Sequence, residues 1–175
     1  LKDCQQILQF YGLTSDGDKT YLVTEWAELR NLKEYYTAYK PIGVKKKLRI
    51  AIDIARGLNF LRAVDIIHRD IRSENILITH HETAKIANFY LSRHFYDDTK
   101  NLEATQDTVR YAAPEILRKR DSKYTTKCEI FSFGILLWEL AEERTPYAQY
   151  SDLIEIKELV VDKKYRERIQ KYFNP

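Results

Sequence analysis

The chain has 175 residues, of which 44% are apolar and 31% charged, and its formal net charge is +3. That length fits one domain with a packed core, and the composition excludes a disordered chain. Its lysines and arginines are scattered, and the densest runs, Lys45-Lys46-Lys47 and Arg118-Lys119-Arg120, read as solvated helix faces or loops, since a nucleic-acid footprint is usually denser; no nucleic-acid partner is expected.

ILQFYGL (7–13) and TYLVTEWA (20–27) are rich in β-branched and aromatic residues and flank Asp16-Gly17, which predicts two antiparallel strands joined by a tight turn. LRNLKEYYTAY (29–39) has helical spacing, and Pro41 and Gly43 then break the chain. From Lys45 to Ala63 the apolar residues Leu48, Ile52, Ala55, Leu58 and Leu61 keep a three-four rhythm that predicts an amphipathic helix. VDIIHRD reads as an extended turn, and NILITHHETAKIANF as two short strands around His80-His81-Glu82. Residues 88–113 have no sustained period and read as a long irregular segment, a kind that in compact domains usually serves function. TTKCEIFSFGILLWELAEE (125–143) opens with threonine cap candidates and becomes apolar on nearly every side, as a buried helix does. Ser151 is the expected cap of a further helix, DLIEIKELVV.

Strands followed mostly by helices make this an α+β chain. The apolar run IFSFGILLW is too short to span a bilayer, so no membrane span is expected. Cys4 and Cys128 have no metal-like spacing and read as free, buried thiols of a reducing, cytoplasmic setting. The chain contains no methionine, so Leu1 is not a translation start and a longer parent protein is expected.

The octapeptide HRDIRSEN (68–75) has a chemical logic. An aspartate on a rigid turn, Asp70, accepts a proton from a substrate hydroxyl, while a nearby Asn75 offers an oxygen to Mg²⁺. Arg72, two places after the aspartate, sits where it would stabilise the charge of a transferring phosphoryl group. A surface turn that contains His, Arg, Asp and Asn is the plainer alternative.

Three further stretches weigh against that alternative. HRDIRSENILI resembles the catalytic loop of eukaryotic protein kinases, and Ala113-Pro114-Glu115 stands where that family closes its activation segment. FSFGILLWEL (131–140) is similar to the family's central large-lobe helix, and YLVTEWAEL (21–29) to its last small-lobe strand and hinge. All four occur in the family's order at family-like separations. The resemblance implies a two-lobe kinase-like α+β fold, with residues 1–28 the end of the N-lobe and 29–175 a C-lobe cut short.

The resemblance also assigns roles. Thr24 would be the gatekeeper of an adenine pocket, Glu25, Trp26 and Ala27 the hinge, Leu77 the floor, and Asn31 a further nucleotide-binding residue. Asp70 would be the catalytic base, supported by Arg72 and Asn75, with Asn75 and Asn88 at the metal positions. Phe89 and His68 would stack in the internal hydrophobic column. ATP and Mg²⁺ are the implied cofactors, and a protein substrate or signalling partner the implied macromolecule. Arg69 would read a phosphate on Thr99, Thr105, Thr108 or Tyr96, a place that Asp97, Asp98 and Glu103 could fill permanently. Arg72 and VRYAAPE lean toward tyrosine-kinase or tyrosine-kinase-like patterns, with serine/threonine specificity the open alternative.

Two departures stand out. Asn88-Phe89-Tyr90 replaces Asp-Phe-Gly, so a neutral carbonyl takes the place of an anionic ligand. Loss of that charge costs roughly 3–5 kcal/mol at an effective dielectric of about 20, on the order of 10²–10⁴ in rate. Tyr90 lacks the backbone freedom of glycine, so the motif should flip less easily. Glu129 stands for the aspartate that the family uses to hold the catalytic loop, and its extra methylene makes that hydrogen bonding less assured. The expected function is therefore ATP-dependent phosphoryl transfer to protein hydroxyls, impaired at the metal, with an inactive allosteric or scaffolding module as the alternative.

Overall fold

The computed structural model describes residue 1 and residues 3–97, 106–118 and 122–170, with only the backbone of 106 and 107. In chain order the elements are β1 (Phe10–Asp16), β2 (Lys19–Thr24), α1 (Leu32–Ala38), α2 (Val44–Ala63), β3 (Ile66–Ile67), β4 (Ile76–Ile78), β5 (Ala84–Ile86), β6 (Arg93–His94), α3 (Gln106–Tyr111), α4 (Pro114–Arg118), α5 (Thr126–Glu142) and α6 (Leu153–Val161). They fall into two compact units, Leu1–Val64 with Glu74–Asn88, and Asp65–Ser73 with Phe89–Pro175.

In the first unit, β1 and β2 form the expected hairpin, starting three residues later than residue 7, with Asp16 opposite Lys19. Gly17 takes φ 59° in the turn, which is the left-handed backbone that a side chain resists. α1 opens on a capping box: Asn31 Oδ1 accepts the Glu34 N–H at 2.9 Å while Glu34 reaches back to the Asn31 N–H. α2 runs almost to the expected limits, but its buried stripe is Ile50, Ile54, Leu58 and Leu61, and Leu48, Ile52 and Ala55 face solvent. The rhythm was right and its phase partly wrong, because Ile50 and Ile54 keep the same spacing from a different start. α2 packs on β5, where Asp53 accepts the Ala84 N–H at 3.2 Å and Gly57 leaves room for Ile86. β4 and β5 pair antiparallel, Ile76 opposite Ile86 and Ile78 opposite Ala84.

In the second unit, β3 lies within the turn expected at VDIIHRD and pairs antiparallel with β6, two residues of the segment expected to be irregular. α5 is the buried helix, with Ile135, Leu136, Trp138 and Leu140 inside. One apolar cluster gathers Ile67, Ala113, Tyr124 and Cys128, and another Val109, Tyr147, Ile156 and Val160. Thr125 is the N-cap of α5 by position but makes no side-chain cap bond. The cap of α6 is Asp152, whose carboxylate accepts the Ile154 N–H at 2.8 Å, in place of the expected Ser151. α3 lies inside the segment expected to be irregular, since six residues are too few to show a period. Both cysteines are free and buried, and no described helix is long and apolar enough to cross a membrane.

Candidate functional site

The second unit contains the turn from His68 to Ser73, fixed from several sides by side chains of other elements. Glu129 of α5 accepts the backbone N–H of His68 at 2.7 Å and of Arg69 at 3.0 Å, both on Oε1. The doubt over its extra methylene is thereby removed, because the longer side chain reaches both donors. Burial pushes the Glu129 carboxyl up to about 7, against the lowering effect of those two N–H groups. Ser92 Oγ donates to the His68 carbonyl at 3.2 Å, the Asp70 N–H donates to His68 Nδ1 at 3.2 Å, and the His68 and Phe89 rings meet edge-on at 4.9 Å.

Arg69 is buried with φ 73°, its guanidinium 5.9 Å from the centre of the Tyr124 ring. Burial, and then the charge of Arg93, lower the Arg69 pKa. Asp70 is buried and its Oδ1 lies 3.2 Å from Arg72 Nε. Ser73 Oγ donates to Glu139 Oε1 at 2.7 Å, and the Tyr111 hydroxyl to Glu139 Oε2 at 2.6 Å. Asp70, Thr108, Tyr111 and Tyr124 share the walls of a recess of about 30 Å³. Thr108 is thus half-buried beside Asp70, while Thr99 and Thr105, with Asp98 and Glu103, lie outside the described residues.

Tyr96 and Asp97 are exposed in the second unit, and the first unit contains the residues predicted for the nucleotide and the metal apart from Asp70 and Arg72. Glu25 is held by three bonds: its N–H donates to the Gln9 carbonyl at 2.8 Å, its carboxylate accepts the Gln9 N–H at 3.2 Å, and Lys85 Nζ approaches that same oxygen to 2.9 Å. Thr24 Oγ1 donates to the Glu25 carbonyl at 3.1 Å. Trp26 is 77% exposed, Ala27 buried, and Leu77 half-buried in β4 next to its bridge partner Asn31. The side chain of Asn31 is used in capping α1.

Asn75 is buried and Asn88 exposed, and Asn88 Nδ2 donates to Asn75 Oδ1 at 3.0 Å. Asn88 has φ 64°, while Tyr90 is 84% exposed in the short turn Phe89–Leu91. The left-handed backbone in this motif therefore falls on asparagine, which tolerates it best after glycine. Two neutral amides, one already spending its oxygen on the other, do not suit Mg²⁺, which favours anionic oxygens. No group of three or more His, Cys, Asp or Glu among the described residues could hold a metal ion either.

Four residues that hold these turns went unremarked in the sequence: Ser73, Tyr111, Glu139 and Lys85. Glu139 carried a signal, a carboxylate inside the apolar run FSFGILLWEL, where a buried charge is rare without partners. Arg110 did not; it is buried and donates to the carbonyls of Pro146 at 2.8 Å, Tyr147 at 2.5 Å and Tyr150 at 3.0 Å.

Residues 1–174 match the family described as protein tyrosine and serine/threonine kinase. A mitogen-activated protein kinase kinase kinase 7-like protein of Drosophila melanogaster is 38% identical over 151 residues, 83% of this chain and 37% of the relative. The serine/threonine/tyrosine-protein kinase HT1 of Arabidopsis thaliana is 32% identical over 143 residues, 81% of this chain and 36% of the relative. A RasGEF domain-containing serine/threonine-protein kinase X of Dictyostelium discoideum is 34% identical over 141 residues, 80% of this chain and 14% of the relative. The chain thus spans well under half the length of these curated relatives.

Proposed function

The chain belongs to the protein tyrosine and serine/threonine kinase family, and on that premise we propose that its parent protein transfers the γ-phosphoryl group of ATP to hydroxyls of a cytoplasmic protein substrate, at a rate lowered by Asn88. Asp70 accepts the proton of the attacking hydroxyl, whose oxygen bonds to the γ-phosphorus as the bond to the β–γ bridging oxygen breaks and ADP leaves with that electron pair. Arg72, ion-paired to Asp70, offsets charge on the phosphoryl oxygens. The hinge residues Glu25 to Ala27 take the adenine, with Thr24, Asn31 and Leu77 around it. Arg69 forms an ion pair with a phosphate carried on Thr99, Thr105 or Thr108.

One observation carries this reading. The turn around Asp70 is held by two buried carboxylates, Glu129 at the backbone N–H groups of His68 and Arg69, and Glu139 at the Ser73 hydroxyl. Such preorganisation serves a base that must meet its substrate at a fixed place. A second reading, a signalling module without catalysis, is favoured by the Asn88–Asn75 bond, which leaves no anionic ligand in that pair.

The test is transfer from labelled ATP by the parent protein, alongside Asp70→Asn and Asn88→Asp. The first reading requires transfer that Asp70→Asn abolishes and Asn88→Asp raises on the order of 10²-fold. Silence in all three proteins leaves the second reading.

A further inference from the structure

The two asparagines are brought together by strand pairing. Asn75 immediately precedes β4 and Asn88 follows β5 by one residue. Ile76 lies opposite Ile86 in that ladder, and the Ala87 N–H donates to the Asn75 carbonyl at 2.9 Å. The ladder thus delivers both side chains to the same end of the strand pair, where the amide bond closes at 3.0 Å.

That separation has a meaning beyond the hydrogen bond. Two adjacent oxygen ligands of an octahedral Mg²⁺, each about 2.1 Å from the ion, are roughly 3.0 Å apart. Asn88 Nδ2 and Asn75 Oδ1 stand at the spacing of two neighbouring ligands, but one of them is a donor. The Asn88 N–H presents a partial positive charge to the Asn75 oxygen, as a bound cation would.

We propose that the Asn88 amide is an internal substitute for the divalent cation, linking the start of β4 to the end of β5 and closing the position to Mg²⁺ and Mn²⁺. Asn88→Asp alone opens it. A carboxylate has no N–H, so the same backbone then presents two acceptors at ligand spacing, one of them anionic. The φ of 64° at residue 88 suits aspartate almost as well as asparagine, and the exchange needs no rearrangement of the strands.

This inference rests on taking Asn75 and Asn88 as the family's metal positions, and its test uses neither nucleotide nor substrate. The parent protein, its Asn88→Asp variant and the double variant Asn88→Asp/Asn75→Ala are titrated with Mn²⁺ alone, free Mn²⁺ being followed by electron paramagnetic resonance. The expected result is one site in Asn88→Asp, at least tenfold tighter than any in the wild type and lost in the double variant. Equal binding by wild type and Asn88→Asp overturns the proposal, as does no gain in an Asn88→Asp protein that melts like the wild type. A separate arm needs no variant: Mn²⁺ should leave the Ala87 amide resonance of the wild type sharp, and broadening there overturns the proposal. Failure of phosphoryl transfer with the Mn²⁺ results intact sinks only the catalytic reading.

Discussion

Glu129 places two backbone N–H groups on one carboxylate oxygen, and its pH behaviour follows from where that carboxylate sits. Burial holds it at about 7 against an ordinary 4.5, so its protonated form is the one the fold prefers. With the folded value above the unfolded one, the associated stability is complete below pH 4.5 and is lost as pH rises through about 7. The span corresponds to roughly 3 kcal/mol at most. Glutamine at this position retains an oxygen for both N–H groups and never ionises. Relative to the wild type, the Glu129→Gln variant should therefore gain stability between pH 5 and pH 8, by about 1–3 kcal/mol in urea unfolding. Parallel pH profiles for the two proteins would count against this account. At the same scale, the lost charge at Asn88 was legible because it is a change of residue type. The bond to Asn75, thirteen positions away, was not, because only the β4–β5 pairing brings the two together.

Helix glycines make opposite predictions in α2 and α5. At Gly57, an added Cβ would lie 2.8 Å from Ile86 Cδ1 and 3.3 Å from the Gln6 carbonyl oxygen. At Gly134 nothing lies within 4 Å. Glycine costs a helix roughly 0.5–1 kcal/mol relative to alanine, so an open site gains that amount and a crowded one loses more to overpacking. Gly134→Ala should raise the unfolding free energy by about 0.5–1 kcal/mol, and Gly57→Ala should lower it by about 1–2 kcal/mol. Equal signs in denaturant melts would show that the α2–β5 approach is looser than its geometry says. Elements as such were legible where a period could build up: the 20 residues of α2 and the 17 of α5 were both expected almost to their ends. Short pieces were not. β3 and β6 have two residues each and exist only as each other's partner, and the cap of α6 shifted by one residue because serine and aspartate compete for adjacent places.

At the scale of the molecule, the boundary between the compact units crosses the chain at 64/65, 73/74 and 88/89, and the last two crossings fall inside HRDIRSEN and Asn88-Phe89-Tyr90. The motifs were legible as local spelling, whereas the division of their residues between two units follows from long-range packing. The same scale governs how the chain meets other molecules. Leu13 and Leu22 face each other across the β1–β2 hairpin, 64% and 70% exposed, with Phe10, Tyr11, Tyr21 and Val23 also exposed on these strands. Exposed apolar residues on a two-stranded hairpin favour association with other chains, and a lone hairpin is marginal in water. Threonine retains the β-propensity of these positions while lowering their hydrophobicity. Leu13→Thr/Leu22→Thr in the 175-residue chain should therefore raise the concentration at which it stays monomeric in light scattering, and reduce binding of a hydrophobic dye. Its unfolding midpoint should hardly move, because neither leucine is buried in this chain and little transfer energy is lost. A large drop in that midpoint would mean that the hairpin face is covered, and the exposure itself would then be the wrong premise.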